Sequence, residues 1–556
     1  MNLKLKLLVA CLFIFLSSQA QQAKTSPIEK ANNNPNTKVG RPKLVIGMVV
    51  DQMRWDYLYR YYERYGTGGF KRILNEGFSA ENTLIPYTPS QTACGHATIY
   101  TGTVPAIHGI IANSWFDPQL GKDVYCVEDK SVQTVGSTSS KGLMSTKNLL
   151  VTTLADELKM ATNFKSKVIS VSLKDRGSIL PGGHTANGSY WYDDQTGNFI
   201  SSTFYMKELP TWVQSFNSQK WPNQYFSKNW TPLYPLSTYT QSTADDKPYE
   251  RPFANIKTSS FPHNFSSFVD KNFGMITSMP YGNTMTLDFA KAAIPAEKLG
   301  MGTETDFLAV SLSSTDYIGH QFGPNSIEVE DTYLRLDKDL ADFFTYLDKT
   351  IGKGNYLFFL SADHGATHAP GFSTENRMPG GGLQFRNYRT ELEELILKDF
   401  NLKGTISSVS NNQIILNHAV LNEAKIDATT FKKYIINYIL KQPGILNAVD
   451  IQNLQAATMP AELKERIAKG YHPRRSGDIY IILDAGWYPS TSPGTGHGAW
   501  NPYDTHIPAL FMGWGIKPGK TNKKYYMSDI APTVSALLRI QEPSGSIGNV
   551  ILEALK

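Results

Sequence analysis

The stretch KLVIGMVVD, residues 43–51, decides the fold class, because it is a continuous apolar run that ends on an aspartate. A run of this kind is typical of a strand that is buried on both faces, as in a parallel sheet. Two further runs have the same form, DFLAVSLSSTD at 306–316 and NYLFFLSAD at 355–363. The pattern therefore predicts three buried strands, each followed by an aspartate.

The segment between the last two runs predicts how the strands are connected. Its apolar residues recur at helical spacing: Leu336, Leu340, Phe343, Phe344 and Leu347. Gly352 closes the segment, as expected at the end of a helix. A strand–helix–strand connection favours parallel strands, so we expect an α/β fold.

The three aspartates are expected to meet at one edge of this sheet. Ligands of open parallel sheets bind outside the carboxyl ends of the strands, where Asp51, Asp316 and Asp363 would lie. A fourth run, DIYIILD, ends on Asp484, but no charged residue or histidine follows it before His497. The position of Asp484 at a strand end therefore does not by itself assign the fourth run to the site.

Three histidines accompany these aspartates. Asp316 and His320 in TDYIGHQFG are four residues apart, which places them on one face of a helical turn. His364 follows Asp363 in SADHG, and His497 lies between small residues in GTGHG. Carboxylate oxygens and imidazole nitrogens suit zinc, and two ions need about this many ligands.

Each of these signals is weak by itself. An aspartate at a strand end is more often a helix cap or a turn residue, and an Asp–x3–His pair is usually a surface pair. The other histidines, His96 among them, are expected to be structural or to lie behind the ligands. The prediction of a metal site depends on the combination of three strand ends with the histidine between glycines.

Composition limits the class of protein. The 556 residues are 41% hydrophobic, enough for a large core, and predict one large catalytic unit with insertions or two to four domains. The net charge is +5 without a basic stripe, so a nucleic acid polymer is not an expected partner.

Insertions are expected at about 177–300, which is rich in aromatic residues, and at 367–475. The second predicts a small α+β subdomain with two helices, TELEELILKDF and TTFKKYIINYIL, and two strands, TISSVSNNQIIL and ILNAVDI.

Residues 1–20 are predicted to be a secretory signal peptide. Two lysines precede the apolar stretch LLVACLFIFL, and a small-x-small cleavage site follows at 18–20. That stretch is too short for a membrane span, which needs about 20 residues, and no later segment is apolar enough. Lipidation at Cys11 is a less favoured alternative. Residues 21–40 are polar and predict a flexible lead-in, and the mature protein is expected in the periplasm.

Two cysteines, Cys94 and Cys126, would remain in the mature chain. They could pair, or they could be two buried thiols. The chain has no CxxC motif, so a metal site would consist of histidines and carboxylates.

Six motifs, in their order along the chain, resemble the signatures of the alkaline phosphatase superfamily. They are VVDQMR, TACGHATIYTGTVPAIHGI, STDYIGH, SADHG, GTGHG and SDIAPTVSALL. The likeness is closest to the PafA-type, phosphate-irrepressible branch. It implies a catalytic domain over about 41–545 with a three-layer α/β fold, a central mostly parallel sheet, helices on both faces and inserted subdomains. It also weakly implies a monomer.

The resemblance implies a role for each candidate residue. Thr92 would be the nucleophile and become a phosphothreonine. One zinc ion would be held by Asp316, His320 and His497. The other would be held by Asp51, Asp363 and His364, with the oxygen of Thr92 completing it. Ser90 lies too early for that role, and a helix would rotate Cys94 away.

Three further residues bear on the substrate. Asn113 matches the position at which the family has a side-chain amide that contacts a phosphoryl oxygen. By itself, an asparagine here is more typical of a turn. VISVSLKDR is expected to be a strand ending at Lys174 and Arg176, with both side chains on one face. Taken alone this pattern indicates a solvated strand end. The resemblance implies that both cations bind a doubly charged terminal phosphate, because PafA-type monoesterases carry a lysine and an arginine at this place. Related phosphodiesterases lack this pair.

The sequence thus predicts a secreted two-zinc enzyme that hydrolyses small phosphate monoesters. The first alternative is a phosphodiesterase of the same fold, with little use for Lys174 and Arg176. The second is a metal-stabilised binding protein without turnover, which would not explain a threonine beside the metal ligands.

Overall fold

A large mixed sheet of eleven strands forms the centre of the protein in the computed structural model. The structure describes residues 40–556 apart from 255, 257, 491 and 492. The expected signal peptide and nearly all of the expected lead-in lie outside the described residues. Residues 41–556 form one compact unit.

The strands are numbered in chain order. They are β1 Leu44–Val50, β2 Phe78–Leu84, β3 Ser114–Asp117, β4 Lys122–Tyr125, β5 Thr134–Val135, β6 Val168–Ser172, β7 Gly188–Asp193, β8 Asn198–Ser202, β9 Asp306–Leu312, β10 Tyr356–Ser361, β11 Gly381–Gly382, β12 Ile406–Ser410, β13 Gln413–Leu416, β14 Ile445–Asp450, β15 Ile479–Leu483, β16 Trp487–Tyr488, β17 His506–Ile507, β18 Ala509–Gly513 and β19 Gly519–Tyr526.

The α-helices vary from single turns to 21 residues. They are Tyr57–Arg60, Phe70–Glu76, Thr92–Thr101, Pro105–His108, Leu154–Ala161, Asp175–Gly182, Thr211–Ser218, Trp221–Phe226, Tyr281–Ala296, Ser314–Phe322, Ile327–Leu347, Pro370–Glu375, Phe385–Phe400, His418–Glu423, Ala428–Ile439, Ala461–Gly470, Pro502–Thr505 and Ile530–Leu538. Among the described residues no helix is both long and apolar enough to cross a membrane.

The centre of the large sheet is parallel, as the sequence predicts. The strand order is β17-β2-β18-β10-β1-β9-β6-β7-β8-β5, with β19 beside β2. β1 lies between β10 and β9 and is parallel to both. All residues of these three strands are buried, which explains their continuous apolar runs. The helix Ile327–Leu347 connects β9 to β10 and confirms the predicted strand–helix–strand unit.

The central sheet also continues into the first expected insertion. β7 pairs with β6 in parallel, and β8 pairs with β7 in antiparallel. Residues 188–202 therefore extend the large sheet, and irregular segments with short helices fill much of the remainder up to the helix Tyr281–Ala296.

A second sheet has the order β12-β13-β15-β14. Its own hydrophobic cluster joins it to the helices Phe385–Phe400 and Ala428–Ile439, through residues such as Leu392, Phe431 and Ile481. We call these elements the inserted subdomain. Its sheet includes β15, formed by the fourth apolar run, so Asp484 ends a strand of this sheet and not of the central one.

Two local expectations are wrong. The segment TISSVSNNQIIL is not one strand but the hairpin of β12 and β13, because Asn411 and Asn412 adopt the positive φ angles of a tight turn. The strand before Lys174 ends at Ser172; Lys174 is the N-cap of the helix Asp175–Gly182, and Arg176 lies in its first turn. The rule of alternating strand faces therefore does not apply to Lys174 and Arg176.

The question of the cysteines is also answered. Cys94 and Cys126 are both free thiols and both buried. Burial raises the pKa of the Cys94 thiol well above its usual value, so this side chain is a poor nucleophile.

Gly95 lets the helix Thr92–Thr101 pack closely on the end of β10. A Cβ atom at residue 95 would come within 2.6 Å of the Cα atom of Asp363 and closer still to its carbonyl oxygen. Backbone cannot move away as a flexible side chain can, so a methyl group here must separate the helix from the strand end.

We therefore expect Gly95→Ala to lower the free energy of unfolding by about 1 kcal/mol or more, even though alanine favours helices. Gly302→Ala is the control, because nothing lies within 4 Å of a Cβ atom there. Urea unfolding of both variants checks this expectation. Equal stability of the two variants would contradict the proposed close contact.

Candidate active site

Six predicted ligands come together from four parts of the chain. Asp51 follows β1, and Asp363 and His364 follow β10. Asp316 and His320 lie on the helix Ser314–Phe322, as the sequence predicts. His497 comes from the loop before the helix Pro502–Thr505. The carboxyl ends of three neighbouring strands, β10, β1 and β9, therefore supply or precede five of the six residues.

The first predicted set of ligands is close-packed. The Nε2 atom of His320 lies 3.2 Å from Oδ1 of Asp316, and Nε2 of His497 lies 3.8 Å from the same oxygen. One ligand atom from each of the three residues fits within 4.8 Å of the others. That spacing is suitable for a single metal ion.

The second group differs in one member from the predicted set. Asp51, His364 and Asp316 have ligand atoms within 4.8 Å of one another, so Asp316 belongs to both groups. Asp363 lies beside this second group, with Oδ2 at 3.5 Å from Nε2 of His364. Its other oxygen accepts hydrogen bonds from the backbone N–H groups of Gln52 and His364.

The backbone fixes the orientation of all three imidazoles. Each Nδ1 atom lies within 3.0 Å of a carbonyl oxygen: Thr495 for His320, Gly365 for His364 and Ser90 for His497. A carbonyl oxygen only accepts, so Nδ1 carries the proton and donates it. Nε2 is then left with the lone pair that a metal ion needs.

A glycine in GTGHG allows the loop that carries His497 to pack closely. Gly494 has a φ angle of 98°, and a Cβ atom there would collide with the backbone carbonyl of His320. The loop can therefore lie directly on the helix Ser314–Phe322.

The charges of the site favour cations. Burial, together with the neighbouring Asp51 carboxylate, raises the pKa of Asp363 well above its usual value. Burial also opposes ionisation of Asp316, but His320 and Lys174 outweigh it and hold the pKa of Asp316 well below its usual value. Burial lowers the pKa of His364 to about 4, which keeps this imidazole neutral.

Two buried carboxylate oxygens support the fit of a metal ion. Oδ1 of Asp51 and Oδ2 of Asp363 have no hydrogen-bond partner among the described residues. Buried polar atoms are normally satisfied, and buried charges are paired or coordinate metals. Together with the imidazole nitrogens, these oxygens form a donor set that fits zinc.

Thr92 is placed beside the predicted ligands. It is the first residue of the helix Thr92–Thr101, as the sequence predicts. Its Oγ1 atom lies 3.4 Å from Nε2 of His364. The two alternative nucleophiles have other contacts. The hydroxyl of Ser90 donates a hydrogen bond to the carbonyl of Ala499, and the thiol of Cys94 packs in the hydrophobic core.

Asn113 is connected to the same helix. Its Oδ1 atom accepts a hydrogen bond of 3.0 Å from the backbone N–H of Ala93, the residue after Thr92. Its side-chain amide is thus held at the N-terminal end of the helix, where N–H groups favour an anion.

Lys174 bridges the two ligand groups. Its ammonium group donates to Oδ2 of Asp51 at 2.7 Å and to Oδ2 of Asp316 at 2.6 Å. Burial alone would lower its pKa, but these two carboxylates raise it above its usual value. Lys174 therefore remains charged in alkaline solution.

Arg176 is held separately from Lys174. Its guanidinium donates to the hydroxyl of Tyr125 at 3.0 Å, and that hydroxyl donates to Asp175. Its Nε atom has no partner among the residues that the structure describes. Arg176 therefore keeps hydrogen-bonding capacity for another group.

Sequence reasoning missed the residues that hold the ligands. Gln52 donates from its side-chain amide to Asp316 at 2.7 Å, and from its backbone to Asp363. Its φ angle is 63°, which is uncommon for a residue other than glycine and cannot be read from the motif VVDQMR. His96, which was expected to be structural or to lie behind the ligands, has Nδ1 at 3.4 Å from Oδ2 of Asp363.

Comparisons with known proteins identify the family of this chain. The type I phosphodiesterase / nucleotide pyrophosphatase family matches residues 45–506. Alkaline phosphatase PhoV of Synechococcus elongatus is 68% identical over 554 residues, covering 100% of both chains. Alkaline phosphatase PafA of Elizabethkingia meningoseptica is 50% identical over 520 residues, covering 93% of this chain and 95% of that one. A crystal structure of wild-type alkaline phosphatase PafA superposes with a TM-score of 0.91, covering 93% of this chain and 100% of that one at 50% identity.

This chain therefore belongs to the type I phosphodiesterase / nucleotide pyrophosphatase family, within the alkaline phosphatase superfamily. The predicted resemblance and the predicted α/β fold are both confirmed.

Replacing a predicted ligand should remove metal. We expect His320→Ala to weaken zinc retention by roughly tenfold or more, because loss of a second-sphere partner alone typically costs that much. The control is His418→Ala, which removes a half-exposed imidazole paired with Asp478. Zinc is counted by plasma mass spectrometry after dialysis against a graded chelator. The same zinc content in both variants would contradict the assignment.

Proposed function

We propose that this protein is an alkaline phosphatase that hydrolyses phosphate monoesters through Thr92. The observation that carries the proposal is the position of Thr92 Oγ1, at the start of a buried helix and 3.4 Å from Nε2 of His364. The names of the relatives at 68% and 50% identity support the same reaction. The substrates are small molecules.

The site would hold two zinc ions. Asp316, His320 and His497 would hold one ion. Asp51, Asp363 and His364 would hold the other, with the oxygen of Thr92. When bound, the ions would supply Lewis-acid charge that favours the ionised threonine hydroxyl and offsets charge on the phosphate oxygens.

Thr92 would carry the phosphoryl group between two steps. Its oxygen forms a bond to phosphorus while the bond from phosphorus to the alcohol oxygen breaks, and the alcohol leaves with a proton. Water then attacks the phosphothreonine, which releases inorganic phosphate and restores the hydroxyl. The N-terminal N–H groups of the helix Thr92–Thr101 favour the anion in both steps.

Three side chains would set the preference for monoesters. The amide of Asn113 would contact one phosphoryl oxygen, and Lys174 and Arg176 would offset the second charge of a terminal phosphate. Lys174 adds charge beside Asp51 and Asp316, whereas Arg176 has a buried Nε atom without a partner among the described residues. A diester has one charge and a second organic group, so it gains less from these cations.

A phosphodiesterase of the same fold is the second candidate. The description of the matching family favours it. We place it second because two relatives that match along nearly their whole length, at 68% and 50% identity, are named alkaline phosphatases. A binding protein without turnover leaves the position of Thr92 unexplained.

We also propose that the protein is secreted to the periplasm and acts as a monomer. The secretion proposal follows from the N-terminal sequence pattern, and the monomer from the resemblance to the PafA-type branch.

Turnover of an aryl phosphate and of its methyl diester tests the proposed preference. We expect the monoester to have the higher kcat/KM. In Lys174→Ala/Arg176→Ala, this value should fall roughly 100-fold or more, since removal of one charge-stabilising donor typically costs that much. The diester value should change far less.

The control is Lys165→Ala/Lys403→Ala, which removes two positive charges from exposed positions. Zinc content is measured in every variant, so that loss of metal is not mistaken for loss of substrate contact. A diester preference in the unmodified protein, or equal losses for both substrates, would move the protein to the phosphodiesterase class.

A further inference from the structure

The hairpin turn of the inserted subdomain touches the candidate active site. Asn411 and Asn412 connect β12 to β13 with φ angles of 54° and 59°. A two-residue turn with both φ angles positive requires residues such as asparagine or glycine. The geometry of the turn explains why asparagine is suitable at both positions but not what the side chain of Asn411 does.

Both the oxygen and the nitrogen of the Asn411 amide form hydrogen bonds with the segments that carry Thr92 and Asn113. Its Oδ1 atom accepts a hydrogen bond of 3.1 Å from the side chain of Gln91. Its Nδ2 atom donates a hydrogen bond of 2.7 Å to the carbonyl of Ser114. Asn411 thus joins the residue before Thr92 to the residue after Asn113.

Gln91 extends this connection to Asn113 itself. Its Oε1 atom accepts a hydrogen bond of 2.8 Å from the backbone N–H of Asn113. The side chain of Asn113 then accepts from the backbone N–H of Ala93. The hydrogen bonds run from Asn411 through Gln91 and Asn113 to the helix that begins at Thr92.

A second contact, from the segment before β15, holds the part of the chain around Asn113. The guanidinium of Arg475, which precedes β15, donates to the carbonyls of Gly109 and Asn148 and lies 4.9 Å from the ring centre of Trp115. Because Arg475 is an independent anchor, loss of Asn411 should shift the amide of Asn113 without releasing the whole segment.

We propose that Asn411 and Gln91 are positioning residues, through which the inserted subdomain fixes the amide of Asn113 relative to Thr92. This inference rests on the proposed function, in which Asn113 contacts a phosphoryl oxygen. It makes the inserted subdomain part of the apparatus for phosphate ester hydrolysis and not only an appended structure. A small displacement of an oriented donor lowers the rate without unfolding the protein.

The test uses Asn411→Gly, because glycine retains the turn and removes only the amide. The matched control is Asn412→Gly, which removes the neighbouring amide. That amide contacts the hydroxyl of Tyr480 and, at 3.5 Å, the carbonyl of Gly498. With an aryl phosphate, we expect kcat/KM of Asn411→Gly to fall about 3- to 30-fold, the effect of losing one or two hydrogen bonds. Asn412→Gly should stay within about twofold of the unmodified protein.

A double-mutant cycle with Asn113→Ala separates positioning from general damage. If Asn411 acts through Asn113, Asn411→Gly should have little further effect once the amide of Asn113 is absent. Thermal unfolding midpoints and zinc content of the two glycine variants should agree. Gln91→Glu keeps the acceptor for the Asn113 N–H, so it should lose less activity than Gln91→Ala.

Additive losses from Asn411→Gly and Asn113→Ala would overturn the inference, as would unchanged activity of Asn411→Gly. If Asn113→Ala itself has full activity, the inference and the role of Asn113 are both overturned, while turnover of the monoester still supports the phosphatase. If the unmodified protein with zinc has no turnover, the proposed function itself is wrong.

Discussion

Repulsion between buried carboxylates is the constraint on which the rest of the site depends. Asp51, Asp316 and Asp363 are almost completely buried and lie close together because parallel strands end at one edge. Lys174 supplies one positive charge to two of them. Burying ionised carboxylates is costly unless cations compensate for them. The imidazoles, with Nε2 atoms turned inward, complete an environment that suits divalent cations.

Several parts of the fold contribute to this site. The central sheet supplies five of the six predicted ligands from strand ends and one helix, so their positions depend on the packing of a rigid core, and His497 comes from a loop. The N-terminus of the helix Thr92–Thr101 lies beside them because Gly95 permits close contact with Asp363. Lys174 and Arg176, which would recognise the phosphate, follow β6 of the same sheet, whereas Asn113 lies on a segment that the inserted subdomain contacts.

Much of this arrangement could be predicted from the sequence. Continuous apolar runs predicted β1, β9 and β10, because strands that are buried on both faces do not alternate between apolar and polar residues. Four-residue spacing gave the shared face of Asp316 and His320. Where an interaction depends on backbone conformation, the sequence was less informative. The strand before Lys174 ends early to start a helix, and NN is a turn that divides one expected strand into two.

Contacts between distant segments explain the other omissions. Gln52 adopts a left-handed backbone conformation and donates hydrogen bonds to Asp316 and Asp363, which no motif in the sequence indicates. Asp316 lies within reach of both groups of candidate ligands, which depends on how β1 and β9 lie beside each other. Strand order was not predicted, so the sharing of Asp316 could not be foreseen.

Trapping the phosphoryl group on Thr92 tests whether this residue is the nucleophile. The zinc-loaded protein would be mixed with an aryl phosphate, quenched in acid within milliseconds to seconds, digested and mapped by mass spectrometry. We expect one phosphate on the peptide that contains Thr92, present in Thr92→Ser on the new hydroxyl and absent in Thr92→Ala. Turnover that persists in Thr92→Ala, or phosphate on another residue, would contradict it.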